Sequence, residues 1–393
     1  MATREYYFSR ATAEATTTAT AYTNTATLSF TPSDNQSYAL FWSVQAQHDD
    51  LTTDIQIDLR QSGPSATLAA ANSEAHDVTS YINYGGLALA TFATATGSHT
   101  FNIRFGNETA TNSSRARNSG LTAVRLDTAD QFVESLDTVT TTSTAAFQTV
   151  ATFSFTPSAT GNYLIIGGAE WCPGATTGIH SDIRLQIGGT GTNYGMASST
   201  YQDETTFRTW MNGTVLGLTA SQWDFSIDVL GATTSLTKTR RHRFLALRSD
   251  GFETLDFTEQ RSQTVSTTTS SATVASLSAT TAAHECLVIG SNMSHNGSAA
   301  VSVLADFLED GVVENSQIEE PNVANADHPG VVTYSKAFTA AAHGFRWGVY
   351  SSGANFARMD EAIIAVIDLE GTAAVAGTII PQIMESYRRR RLY

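Results

Sequence analysis

Carboxylates and histidines gather at three places in this chain. His48, Asp49, Asp50 and Asp54 form one group, and His180 with Asp182 form another. Glu309, Asp310, Glu314, Glu319, Glu320, Asp327 and His328 make a third, longer run. Oxygen and imidazole donors at such spacing are the raw material of a divalent-cation loop, because hard cations take carboxylate oxygens. The third run reads in the same terms as a calcium-binding or partner-contact loop. The plainer reading of all three, and the expectation here, is solvated loop charge. Neither a metal nor any other cofactor is expected.

Other chemistry is thinner. Gly188-Gly189-Thr190-Gly191 follows a strand-like run, but no helix pattern follows it, so a hairpin turn is expected rather than a phosphate cradle. The chain has no G-x-S-x-G, no P-loop and no H-E-x-x-H, and no carboxylate pair stands out as a glycosidase couple, so no enzymatic activity is expected. Among the five tryptophans, Trp223 and Trp347 fall on core faces. Trp171 and Trp210 remain as candidate glycan-stacking platforms. Cys172 and Cys286 are too few for a metal framework and are expected to be free thiols.

The elements that would position these residues repeat. LSFTPS at Leu28–Ser33 returns as FSFTPS at Phe153–Ser158. Four further features recur in the same order. Apolar runs occupy Tyr38–Val44, Tyr163–Gly168 and Cys286–Gly290. DIQIDLR at 54–60 and DIRLQI at 182–187 alternate, and Val301–Phe307 matches them less clearly. A late alternating strand contains Phe101, Phe225 and Phe345, in steps of 225 − 101 = 124 and 345 − 225 = 120. A closing strand is matched at Leu126, Leu247 and Ile367. Period-two alternation between Gly, Ser, Asn and Asp turns is the pattern of half-buried strands.

These signals predict an all-β chain of three tandem antiparallel β-sandwich, jelly-roll-like domains arising from internal triplication, followed by a short basic tail. The expected boundaries are 1–128, 129–251, 252–370 and 371–393. Units of about 120 residues can each bury a core, which predicts independent folding. Their Thr-rich, charge-poor edge strands read as poorly protected and open to pairing with a neighbour.

Charged residues are only 15% of the chain and the net charge is −15. That balance disfavours nucleic acid and anionic membrane as partners of the folded body. The opening MATREYYFSR has no apolar core, so no secretory signal is expected. In the tail, Ile383, Met384 and Tyr387 are spaced for one helical face ahead of Arg388, Arg389, Arg390 and Arg391, the pattern of a segment that docks on an acidic partner.

The Thr/Ser/Ala-rich tandem sandwiches at Leu28–Asp127, Phe153–Asp250 and Val274–Asp368, with the tail ESYRRRRLY, resemble accessory virion proteins of tailed bacteriophages: capsid decoration proteins, head fibres and tail-associated sandwich proteins. The resemblance covers the body plan of the whole chain. It implies a non-enzymatic structural protein present in many copies on the virion, in contact with other capsid or tail proteins. A capsid-surface decoration role is the first expectation, and a carbohydrate-binding adhesin the alternative.

Overall fold

The computed structural model describes residues 5–50, 53–63, 66–74, 81–92, 97–141, 146–172, 180–188, 193–200, 207–231, 237–296, 302–319, 327–353 and 356–369. Unit 1 runs through β1 (Tyr6–Ala11), β2 (Ala15–Thr17), β3 (Thr23–Phe30), β4 (Ser37–His48), β5 (Asp54–Ser62), β6 (Ala66–Glu74), β7 (Ile82–Thr91), β8 (His99–Asn107) and β9 (Ser114–Arg125). Unit 2 follows with β10 (Gln131–Ser135), β11 (Val139–Thr141), β12 (Gln148–Phe155), β13 (Gly161–Cys172), β14 (His180–Ile187), β15 (Asn193–Thr200), β16 (Arg208–Leu218), β17 (Trp223–Leu230) and β18 (Thr237–Arg248). Unit 3 has β19 (Leu255–Gln260), β20 (Thr264–Ser266), β21 (Ala272–Thr281), β22 (Glu285–Asn296), β23 (Val303–Glu309), β24 (Val312–Glu319), β25 (Asp327–Ala337), β26 (Ala341–Ser351) and β27 (Ala357–Asp368).

Each unit makes the same two antiparallel sheets. In unit 1 one sheet has the order β1-β9-β4-β7, with β2 continuing β1 along β9, and the other has β3-β8-β5-β6. Units 2 and 3 repeat both orders strand for strand. Counting β1 and β2 as one interrupted strand, the orders are 1-8-3-6 and 2-7-4-5, which is jelly-roll topology. The expected three jelly rolls are therefore present.

The register is set by alternation. Leu28, Phe153 and Leu277 face Phe101, Phe225 and Phe345 across equivalent strand pairs. Every second residue of β3 and β12 turns inward, and the hydroxyl-bearing residues between them face solvent. The closing strands match at Val124, Leu247 and Ile367, opposite Ala39, Leu164 and Leu287. Leu126 lies two residues beyond the true match, because pairing with the third strand, rather than residue type, fixes the alignment.

The apolar runs of β4, β13 and β22 do not alternate. From Tyr38 to His48 and from Tyr163 to Cys172 every residue is buried. A run of this kind marks a strand covered on both faces. One face packs inside the strand's own sandwich. The other enters a fourth core shared by all three units, containing Phe41 and Leu87 of unit 1, Leu164 and Leu247 of unit 2, and Leu287 and Ile367 of unit 3. The expectation of independent units is corrected here: the outer face of one sheet in each unit is apolar and is buried only against the other two.

The units close a ring. The sixth strands β7, β16 and β25 touch one another at its centre. β6 lies against β16, β15 against β25, and β24 against β7, so the fifth strand of each unit abuts the sixth strand of the next. This is a head-to-tail interface that closes after three steps, inside a single chain.

The edges are also better protected than the sequence implied. The fifth strands are covered by the next unit and the sixth strands sit at the centre. The first strand is interrupted in all three units (β1/β2, β10/β11, β19/β20). The second strand carries a bulge at the same place in each, between Asn24 and Ala26, Thr149 and Ala151, and Thr273 and Ala275. Interrupted and bulged edges discourage strand addition.

Candidate functional site

Polar contacts run across the seams where units meet. At the junction of units 1 and 2, Glu170 is buried (1% exposed). It accepts from Arg240 Nε and Arg241 Nη1, each at 2.7 Å, and from the Ala70 backbone N–H of β6 at 2.7 Å. Two residues along, the Asn72 N–H donates to the Phe207 carbonyl at 2.9 Å, and the Phe207 N–H donates to Asn72 Oδ1 at 2.7 Å. The Arg240 guanidinium stacks 3.8 Å over the Phe207 ring.

Units 1 and 3 are joined more broadly. Ser43 Oγ donates to the Thr333 carbonyl and accepts its N–H, both at 2.9 Å. Thr122 Oγ1 and Ser335 Oγ lie 2.8 Å apart. Gly120 is glycine because a Cβ there would stand 2.0 Å from the Thr333 carbonyl oxygen. Arg10 pairs with Glu314 and lies 4.4 Å over the Tyr334 ring. Tyr334 donates to Glu309 at 2.8 Å, and Lys336 Nζ stands 2.5 Å from the same carboxylate. Burial, then the Glu309 charge, push the Tyr334 phenol well above its ordinary range, so it remains a donor. Between units 2 and 3, Asn212 donates to Glu361 at 3.3 Å, Arg261 lies 4.5 Å over Tyr194, and Met293 enters the unit 2 core.

The residues singled out in the sequence are dispersed. Trp171 is fully buried, with its indole N–H donating to Ser181 Oγ at 3.1 Å, and Trp210 is 2% exposed. Neither can offer a ring face to a sugar. Both point into the unit 2 sandwich, so their candidacy as glycan platforms is withdrawn. Ile383, Met384, Tyr387 and Arg388–Arg391 lie outside the described residues.

The carboxylate groups have local occupations. His48 Nδ1 accepts the Asp50 N–H at 3.0 Å, Asp49 accepts the Ser113 N–H at 2.6 Å, and Asp54 accepts from Asn72 at 2.7 Å. Asp54 and Asp182 are not equivalent, since Ile57 aligns with Ile183 opposite Phe105 and Val229. Of the third run, Asp310 is held by His343 and by the Gly344 N–H, both at 2.7 Å, and Glu309 by Tyr334 and Lys336.

Sequence reasoning passed over the junction residues. The signal existed: Gln45 and Glu170 each stand seven residues after the tyrosines Tyr38 and Tyr163 that open the matched runs, and RRHR at 240–243 is an unusual cationic cluster in so acidic a chain.

The fold and its seams define a triple jelly roll closed into a ring within one polypeptide. No protein-family model matches the chain, and no curated protein does. Solved structures with similarity include virus structures, a carbohydrate-binding tandem and an insecticidal delta-endotoxin. A structure described as the triple jelly roll fold and turret assembly of an archaeal virus is 8% identical, over 92% of this chain and 90% of that one, with a TM-score of 0.22. A structure of infectious bursal disease virus, Gx strain, is 7% identical, over 99% of this chain and 86% of that one, with a TM-score of 0.24. The N-terminal CBM22-1-CBM22-2 tandem domain of Paenibacillus barcinonensis Xyn10C is 10% identical, over 60% of this chain and 92% of that one, with a TM-score of 0.17.

Proposed function

We propose that this chain is a non-enzymatic structural protein of a virus particle, with capsid-surface decoration as its role and the virion as its location. The observation that carries the reading is the closed ring. One polypeptide spends an entire sheet face of each unit on fixing three alike sandwiches around a common core. That arrangement gives a rigid block that stands in for a trimer at a stoichiometry of one, and it suits a part that repeats many times on a larger surface. The buried ionic groups at its seams are paired with one another and serve the block itself. The excess of acidic over basic residues, 37 to 22, argues against nucleic acid as a partner of the body. Other capsid or tail proteins are the partners, and residues 371–393, with Ile383, Met384, Tyr387 and Arg388–Arg391, are the anchor.

Antibodies raised to the folded chain should label intact particles purified from its source, and mass spectrometry should find the chain in them at many copies. Its absence from particles would overturn the reading. Deleting Gly371–Tyr393 should abolish binding to particles while leaving the ring folded, and retained binding would remove the tail from its anchoring role.

A further inference from the structure

The junctions between units are built on one repeated position. Gln45, Glu170 and Met293 each stand seven residues beyond Tyr38, Tyr163 and Cys286, which occupy matched places opposite Arg125, Arg248 and Asp368. In the first two cases the surroundings also correspond. Gln45 accepts from Arg117 Nε at 2.7 Å and Asn118 Nδ2 at 3.1 Å, just as Glu170 accepts from Arg240 and Arg241. Asn118 and Arg241 share a left-handed backbone, with φ of 49° and 48°. Arg117 lies 3.8 Å over the Tyr81 ring and Arg240 lies 3.8 Å over the Phe207 ring.

The targets correspond as well. Glu170 accepts the N–H of Ala70, and Gln45 Nε2 donates to the carbonyl of Ser316. Ala70 is paired with Asp58 on β5, and Ser316 with Asp306 on β23, so both occupy the same place on the fifth strand of the preceding unit. Two residues further on, the Asn72 N–H donates to Phe207 and the Ile318 N–H donates to Tyr81, both at 2.9 Å. A residue on the open side of an edge strand directs its N–H and its carbonyl the same way. The incoming side chain therefore meets one donor and one acceptor, and its own chemistry selects between them. At the third junction the side chain is a thioether, and it enters the apolar core of unit 2.

We propose that this position is the recognition residue of inter-unit docking. Gln45, Glu170 and Met293 each read the preceding unit, as a carbonyl, an N–H and an apolar pocket respectively. Gln45 and Glu170 thereby also cap the fifth-strand edges that a foreign strand would otherwise join. The left-handed residues Asn118 and Arg241 are positioning residues that aim the reader.

The test uses the full chain and hydrogen exchange at the two reporter amides. In Gln45→Met, exchange at Ile318 should rise at least tenfold while Asn72 stays protected. In Glu170→Met the pattern should reverse, with Asn72 exposed and Ile318 unchanged. If Glu170→Met fails to fold, because two arginines lose their partner, Gln45→Met decides alone. Methionine matches glutamine in size, so a site that merely fills space would tolerate it, with Ile318 exchange unchanged. That outcome, or an equal rise at both amides, would overturn the proposal. Met293→Gln provides the converse: an amide in an apolar pocket should lower the unfolding midpoint by roughly 2–4 °C, and an unchanged midpoint would count against the third assignment.

Discussion

His242 illustrates what burial does to a single side chain. Its ring is fully buried in unit 2, with Nε2 2.8 Å from Thr239 Oγ1 and Nδ1 without a partner among the described residues. Burial first, and the Arg243 charge second, push its pKa down from the ordinary histidine value to about 4. The unfolded chain takes up the proton near pH 6.5 and the folded chain resists until about pH 4. Stability held above pH 6.5 is therefore lost as the pH falls through that window, by about 3 kcal/mol at the acid end. Urea denaturation at pH 7 and pH 4.5 should show the loss, and His242→Phe should flatten it. An unchanged slope in that variant would show that the acid sensitivity resides in another group. Trp171 belongs to the same scale. Truncation to alanine should cost about 3–5 kcal/mol and leave glycan-array binding as it was, because the ring is packed and not displayed.

Individual strands show how much was legible and why the remainder was not. Alternation located the second, fourth and seventh strands because one of their faces meets solvent, and the unbroken runs located the third strands. What those runs mean was not legible. A strand covered twice looks the same whether its second cover is a helix, a partner or a sister unit, and the shared core follows only from three such faces in one chain. Local charge was equally mute about pairing. Asp58 on β5 holds Arg104 on β8, and unit 2 exchanges the two, with Arg184 on β14 and Asp228 on β17 in the same places. Each arginine also covers an aromatic ring just before the second strand, Tyr22 at 4.6 Å and Phe147 at 3.7 Å. Unit 2 is thus a natural charge swap of unit 1. Asp58→Ala should destabilise by about 1–3 kcal/mol, since it leaves a half-buried guanidinium without its carboxylate. The double exchange Asp58→Arg with Arg104→Asp should recover most of that loss. A double variant no better than the single one would mean that the strand surroundings, rather than the pair, set the order of charges.

For the whole molecule the decisive feature is that three sandwiches share a core none of them could cover alone. A unit opening by itself would bare the outer faces of the other two, so local failure spreads. Unfolding should therefore be a single cooperative event, although the three interior cores are separate. Leu287, fully buried on the outer face of β22, gives the sharpest probe. Leu287→Ala should cost about 2–5 kcal/mol. Because Leu287 touches the common core, the loss should lower the midpoint seen by Trp42 in unit 1 as much as that seen by Trp347 in unit 3. Tryptophan-specific fluorescence in single-tryptophan backgrounds, set beside calorimetry, separates the two behaviours. One transition whose calorimetric and van't Hoff enthalpies agree marks a block that works as a unit. Three staggered transitions, with Leu287→Ala moving only the third, would describe beads on a string, in which the shared core does not couple the units.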